Sequence, residues 1–329
     1  MKTLYVNENV KRSASEARAK LSGLGLPESD REPLVLSART FELGGHYGVE
    51  MPAINSFQQM EATISALKLE GVYCTRFNET HGSHLLSDSE ISDMIGICRE
   101  NEYGILVGVG PRPEYDINSS FYRTQFGLEM GRQLNNNEIF AQALEEVFRL
   151  CELGCRGIII YDVGLMRVVK ELRDAGGLPR RLVLKTSSHC MATNAPIARI
   201  FHENGADSIT TAHDLSLSML QSMRTYVPEL VLDVPTDVYR TKGGFIRWFD
   251  LAELVQVASP VFLKMGASIQ SDPYDAVKPE ASLDRVRRIA VGQEYLAKYL
   301  PGGFSRISTE DRQACFAGKT SAQQKVVGR

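Results

Sequence analysis

Eight short, nearly continuous apolar runs recur along the chain, and they constrain the fold more than any other feature. They are "GVEMPAI" (48–54), "GVYCTRF" (71–77), "GILVGVG" (104–110), "GIIIYDV" (157–163), "RLVLKTS" (181–187), "DSITTAH" (207–213), "LVLDVP" (230–235) and "PVFLKMG" (260–266). Runs of this length and apolarity are expected of parallel strands covered on both faces. Amphipathic segments with helix punctuation lie between them. "SFQQMEATISALKLEG" opens on a serine cap and stops at a glycine, and Ser87 stands three residues before Glu90 in a capping-box pattern. "NAPIARIFHENG" offers Asn194 as cap, Pro196 in the first turn and Gly205 past the end. Eight strands with intervening helices predict an α/β chain folded as a (β/α)8 TIM-like barrel. A doubly wound open sheet is the alternative, because periodicity does not show closure. No GxGxxG or Walker loop follows any strand, which weakens a nucleotide-binding version of either fold.

Composition narrows the function classes. The 329 residues are 43% hydrophobic and 23% charged with a net charge of −3, so nothing points to nucleic acid or an anionic membrane as partner. No apolar run approaches the roughly 18 residues that span a bilayer. The opening "MKTLYVNENVKRSASEARAKL" lacks a signal-peptide hydrophobic region, so a cytoplasmic location is expected. Six cysteines (Cys74, Cys98, Cys151, Cys155, Cys190, Cys315) contain no CxxC pair, and disulfides are not expected. Cys151 and Cys155 can share a helix face as metal ligands, but their apolar neighbours favour buried free thiols.

Residues 1–32, 33–47 and 111–137 stand outside the alternation, and the chain divides into an N-terminal extension (1–47), a barrel (48–302) and a polar C-terminal tail (303–329). Residues 1–32 suit a mobile arm or an oligomer contact, and 33–47 a strand and turn against the barrel's base or first strand. The insertion 111–137 carries Tyr115, Phe121, Tyr122 and Phe126. In a barrel it starts at the C-terminal mouth, as either a lid or a surface packing segment.

Barrel active sites are assembled where strands end and βα loops begin. Those points hold Asn55; Arg76, Asn78, Glu79, His81 and His84; Asp162; Lys185, Ser187 and His189; His213 and Asp214; Asp233, Asp237 and Arg240; and Lys264. Charges inside apolar strands are costly unless paired, so this concentration predicts a polar pocket. Each residue also has a plainer role. Asp162 is a base or the cap of the next helix. Lys185 and Lys264 hold an anion, form a Schiff base, or neutralise Asp162 or Asp233. Glu79-Thr80-His81-Gly82-Ser83-His84 lacks the spacing of a helical zinc motif, leaving His81 and His84 as weak metal candidates. His189 beside Cys190 suggests thiolate activation, but adjacent side chains point in different directions.

The order of segments resembles the peptidase U32 (collagenase-like protease) family from about residue 49 to 298. "VEMPAINSFQQMEATISALKLEGVYCTRF" resembles that family's opening strand, helix and "GADAVY" strand, and "LSDSEISDMIGICRENEYGILVGV" its next unit. "ELGCRGIIIYDVGLMRVVKEL" is similar to "ELGVDAIIVQDLGLLRLL", "NGADSITTAHDLSLSML" to "GATRVVLARELSLEEI", and "VFLKMG" to "LKIEG". "LKTSSHCMATN" matches "HASTQMNVTN", with Lys185 in place of the family's histidine and His189 in place of its glutamine. The resemblance implies a TIM-like barrel. It also implies either degradation of collagen-like substrates or oxygen-independent hydroxylation with an iron–sulfur cluster. The family's cluster cysteines follow the seventh strand, where this chain reads "ELVLDVPTDVYRTKGGFIRWFD" without one cysteine.

These readings converge on a cluster-free, U32-like enzyme acting on a small anionic organic metabolite. His189, His213, Asp162, Asp233 and Lys185 are the expected catalytic residues. Asn55, Arg76, Glu79, Ser187, Arg240 and Lys264 are expected to bind substrate. No cofactor is expected, a divalent metal at His81 and His84 being the exception considered. Expected partners are the substrate and a second subunit, either a homo-oligomer or a cluster-bearing U32 homologue that this chain would complete. A peptidase or hydrolase is a further alternative.

Overall fold

The computed structural model describes residues 14–30, 33–113, 120, 124, 133–273 and 278–310. The expectations for residues 1–13 and 311–329, and for the aromatic residues Tyr115, Phe121, Tyr122 and Phe126, lie outside the described residues. Among the described residues no helix is long and apolar enough to cross a membrane.

All eight expected runs form strands. They are β1 (Tyr47–Met51), β2 (Arg76–Asn78), β3 (Gly104–Gly108), β4 (Gly157–Ile160), β5 (Val183–Thr186), β6 (Ser208–Thr210), β7 (Val231–Pro235) and β8 (Val261–Lys264). Each pairs in parallel with the next and β8 returns to β1, so the sheet closes into a barrel and the open-sheet alternative falls. The connecting helices are α2 (Phe57–Glu70), α3 (Asp88–Glu100), α4 (Asn137–Glu152), α5 (Val163–Asp174), α6 (Ala195–Glu203), α7 (Leu217–Tyr226), α8 (Leu251–Ala258) and α9 (Ala281–Tyr299). A short α1 (Ser15–Gly23) precedes them.

The helix starts form as their cap residues dictate. Ser56, Ser87 and Asn194 accept hydrogen bonds from the backbone N–H groups of Gln59, Glu90 and Ile197, at 3.2, 3.2 and 3.0 Å. The capping box at Ser87 closes only on one side, because Glu90 Oε1 instead accepts from Phe57 N–H of α2 at 3.2 Å.

Strand alternation sorts side chains into two cores. Val49, Met51, Phe77, Ile158, Leu184 and Leu232 join the helices in the large outer core. The inward residues fall into layers. At the base, Val231 and Phe262 pack with Phe41 and Ile307, which enter from the two chain ends. Phe262 needs the room that Gly48 leaves, since a Cβ there would sit 2.5 Å from its ring. Leu106, Ile159, Tyr161 and Val183 make an apolar wall on the β3–β5 side.

The flanking segments serve this base. Segment 33–46 forms no strand; Ser37 donates to Ser259 O at 2.6 Å and Phe41 packs against Phe262 in a tilted pair with centroids 5.0 Å apart. The chain past Gly303, expected as a loose tail, is packed as far as Ile307, whose N–H donates to Tyr47 O at 2.9 Å.

Candidate functional site

Above the base the barrel interior turns ionic. Registers place Glu50 of β1 beside Arg76 of β2 and Lys264 of β8, and Asp233 of β7 beside Thr210 of β6. Residues in register point the same way, so these side chains converge on the barrel axis. Lys185 of β5 joins them from the far side and donates to both Glu50 oxygens, Oε1 at 2.6 Å and Oε2 at 2.5 Å. Glu50 also accepts from Arg76 Nε and Asn78 Nδ2, each at 2.6 Å, and lies 3.1 Å from Lys264 Nζ. Arg76 reaches Asp233 Oδ1 at 2.5 Å, and its Cζ lies over the Phe262 ring, 3.5 Å from the centroid. Asp233 Oδ2 lacks a hydrogen-bond partner, although Lys185 Nζ is an ion-pair contact at 3.2 Å.

Glu50, Arg76, Lys185 and Asp233 are wholly buried, and Lys264 retains 14% exposure. Among the described residues, three cations against two carboxylates leave this cluster one positive charge in excess. Burial alone would raise the Glu50 pKa, but Lys185, Arg76 and Lys264 outweigh it and hold the carboxyl below the usual range. For Lys185, burial is the largest influence and pushes the amine down to about 7 against the pull of Asp233 and Glu50.

Through Lys185 and Lys264 the cluster borders a small open cavity of about 50 Å³ at the C-terminal mouth. Lys185, Ser187, His189, His213 and Lys264, all expected at the site, line it. So do Asn78, Ile159, Tyr161, Thr210, Tyr239 and Lys242. His189 sits in a short turn after β5, its Nδ1 3.3 Å from Ser187 Oγ and its ring near Tyr161. Thr210 Oγ1 is buried without a hydrogen-bond partner on the cavity wall.

Asp162, Glu79 and Asn55 bond to the frame and do not line this cavity. Asp162 caps α5, accepting from Leu165 N–H at 2.6 Å, and its other oxygen takes Leu134 N–H at 2.8 Å. Glu79 turns to the backbone, accepting from the N–H groups of His81, Gly82 and Gly108. Burial raises its pKa to about 7 despite those bonds and Arg112. Asn55 braces the rim through Pro273 O at 3.0 Å and Thr80 N–H at 2.9 Å. Arg240 is exposed, and Lys242 two residues on lines the cavity in its stead. Among the described residues no group of three or more His, Cys, Asp or Glu side chains is arranged to hold a metal, His81 and His84 included. Lys185 does neutralise Asp233, as the plainer reading had it, but Asp162 is not its partner.

Glu50, Thr210, Tyr161 and Tyr239 escaped the reading of strand ends. Glu50 carried a signal nonetheless: one carboxylate inside "GVEMPAI", on the same alternation as inward Gly48. The other three look like ordinary strand or loop residues until the barrel closes.

The closed strand ladder with its alternating helices defines a (β/α)8 barrel. Residues 132–235, running through α4 to β7, match the family model described as "Peptidase family U32". The resemblance read from the sequence therefore holds over that stretch. No curated protein matches the sequence. Among solved structures, the chain is similar to the U32 peptidase Mk0906, at 14% identity and TM-score 0.41, over 69% of this chain and 96% of that one. It is also similar to the YdjI aldolase from Escherichia coli K12, at 13% identity and TM-score 0.40, over 79% and 92%. A thiamine phosphate pyrophosphorylase from Pyrococcus furiosus is 12% identical at TM-score 0.42, over 76% and 96%. The fold assignment rests on the closed strand ladder itself.

Proposed function

We propose that this U32-like barrel is an enzyme that binds a small anionic organic molecule in its mouth and acts on it by acid–base and electrostatic catalysis. The observation that carries this reading is the excess positive charge beneath an open cavity. Among the described residues Lys264 has a single ion-pair contact, and its ammonium keeps donors for a ligand carboxylate. His189 and His213 stand on the same wall to move protons, and the Lys185–Glu50–Asp233–Arg76 cluster supplies a fixed field that needs no reorganisation when charge develops.

The reading includes no iron–sulfur cluster. A four-thiolate site needs cysteines converging on one point. Of the described cysteines, Cys74, Cys98 and Cys155 are buried in the outer core and Cys151 packs against it. Cys190 directs its thiol to Tyr161 O at 3.4 Å. These residues do not fit the group.

The test is a thermal-shift and calorimetric titration with malonate, succinate and inorganic phosphate. At least one should stabilise the protein, and Lys264→Ala should weaken that binding about ten-fold or more, the scale of one lost charge-assisted hydrogen bond. Equal binding by the variant, or no response to any of the anions, would sink the reading.

A further inference from the structure

We infer that the Lys185 amine is a nucleophile toward a carbonyl carbon, and that the ligand class is a small oxo acid, held as an imine at the cavity floor. This rests on the mouth being an anion-binding pocket. It adds which atom the ligand reacts with and why a carbonyl is required.

Lys185 is both wholly buried and part of the cavity lining, so the cavity ends on it. An amine serving only to neutralise Glu50 and Asp233 would not require two further cations, yet Arg76 contacts both carboxylates and Lys264 contacts Glu50. The arrangement leaves one positive charge too many in a desolvated site. Arginine does not release its proton at ordinary pH, so relief falls on a lysine, and Lys185 is the more deeply buried. Its amine, pushed down to about 7, has a substantial neutral fraction at physiological pH. A desolvated lysine flanked by cations is the recurrent environment of carbonyl-condensing amines.

The surroundings supply the other parts. Lys264 takes the ligand carboxylate. Thr210 Oγ1, buried and without a hydrogen-bond partner, serves the carbonyl oxygen. Asp233 Oδ2, 3.2 Å from Lys185 Nζ, lies where it passes a proton from the nitrogen to the departing oxygen. The nitrogen lone pair then forms the C–N bond as the C=O π electrons move to oxygen. Two protons from the former ammonium leave with that oxygen as water, one of them relayed by Asp233. The third stays on the iminium nitrogen, so no oxidant, reductant or further reactant is needed.

The intact protein would be incubated with glyoxylate, pyruvate or 2-oxoglutarate plus cyanoborohydride, then read by intact mass and peptide mapping. The expected result is one reduced adduct on Lys185 with at least one probe, slowed by malonate and absent in Lys185→Arg. Mapping on the unmodified sequence needs no variant, so misfolding of Lys185→Arg leaves the main readout intact. Adducts on Lys264 or surface lysines alone, or no adduct with any probe, would overturn the inference. If the anions of the preceding titration still stabilise the protein when no adduct forms, the imine fails and the anion pocket stands. If none stabilises it, both fail together.

Discussion

Glu50 receives two lysines, an arginine and an asparagine, so removing its charge strips the cluster of its shared anion. Glu50→Gln leaves Arg76, Lys185 and Lys264 against Asp233 alone. Breaking a buried ion pair from one side costs about 3–5 kcal/mol, and urea denaturation should show a loss of that order. Glu79 is a second buried carboxyl with a different consequence. Its folded pKa is about 7 against an ordinary 4.5, so between these values the folded chain holds a proton that the unfolded chain has released. Stability from this group is therefore full below about 4.5 and declines as pH rises through about 7. Urea midpoints measured from pH 4.5 to 7.5 should fall with pH, and less steeply in Glu79→Gln; an unchanged slope would count against this account.

At the scale of elements, Asp162 joins the start of α5 to the segment entering α4. Asp162→Ala removes the cap of α5 and leaves Leu134 N–H without its carboxylate. A loss of about 1–2 kcal/mol is expected in chemical denaturation, with affinity for the mouth's anion unchanged. A selective loss of affinity would return Asp162 to the binding site. Strand and helix positions were legible in the sequence because they depend on local signals: apolar runs, and caps at Ser56, Ser87 and Asn194. Glu90 meets only half of its capping-box expectation for the converse reason, since its carboxylate serves Phe57 of a neighbouring helix 33 residues away in the chain. Arg285 of α9 is another such residue, donating to Gly266 O at 2.8 Å and Ala53 O at 3.1 Å and thereby tying two mouth loops together.

At the scale of the whole molecule the barrel has two ends with separate tasks. The base is closed by Phe41 and Ile307, and the mouth carries the charges. Phe41→Ala should cost about 3–5 kcal/mol, typical of a truncated buried aromatic. Anion binding at the mouth should be retained while the variant stays folded, as calorimetry below its unfolding transition can check. The sequence by itself determined eight strands, their order with the helices, the resemblance to U32 proteins, and a polar inventory that includes Lys185, His189, His213, Asp233 and Lys264. Hydrophobic periodicity and capping are local, and a linear reading reaches them. Only the tertiary structure decided which charges meet. Sheet closure brings β8 against β1, registers set Glu50 beside Arg76 and Lys264, and Lys185 crosses the axis from β5. Pairing across 135 residues of chain leaves no local trace, which is why Glu50 stayed hidden while Glu79 and Asp162, at strand ends, stood in plain view.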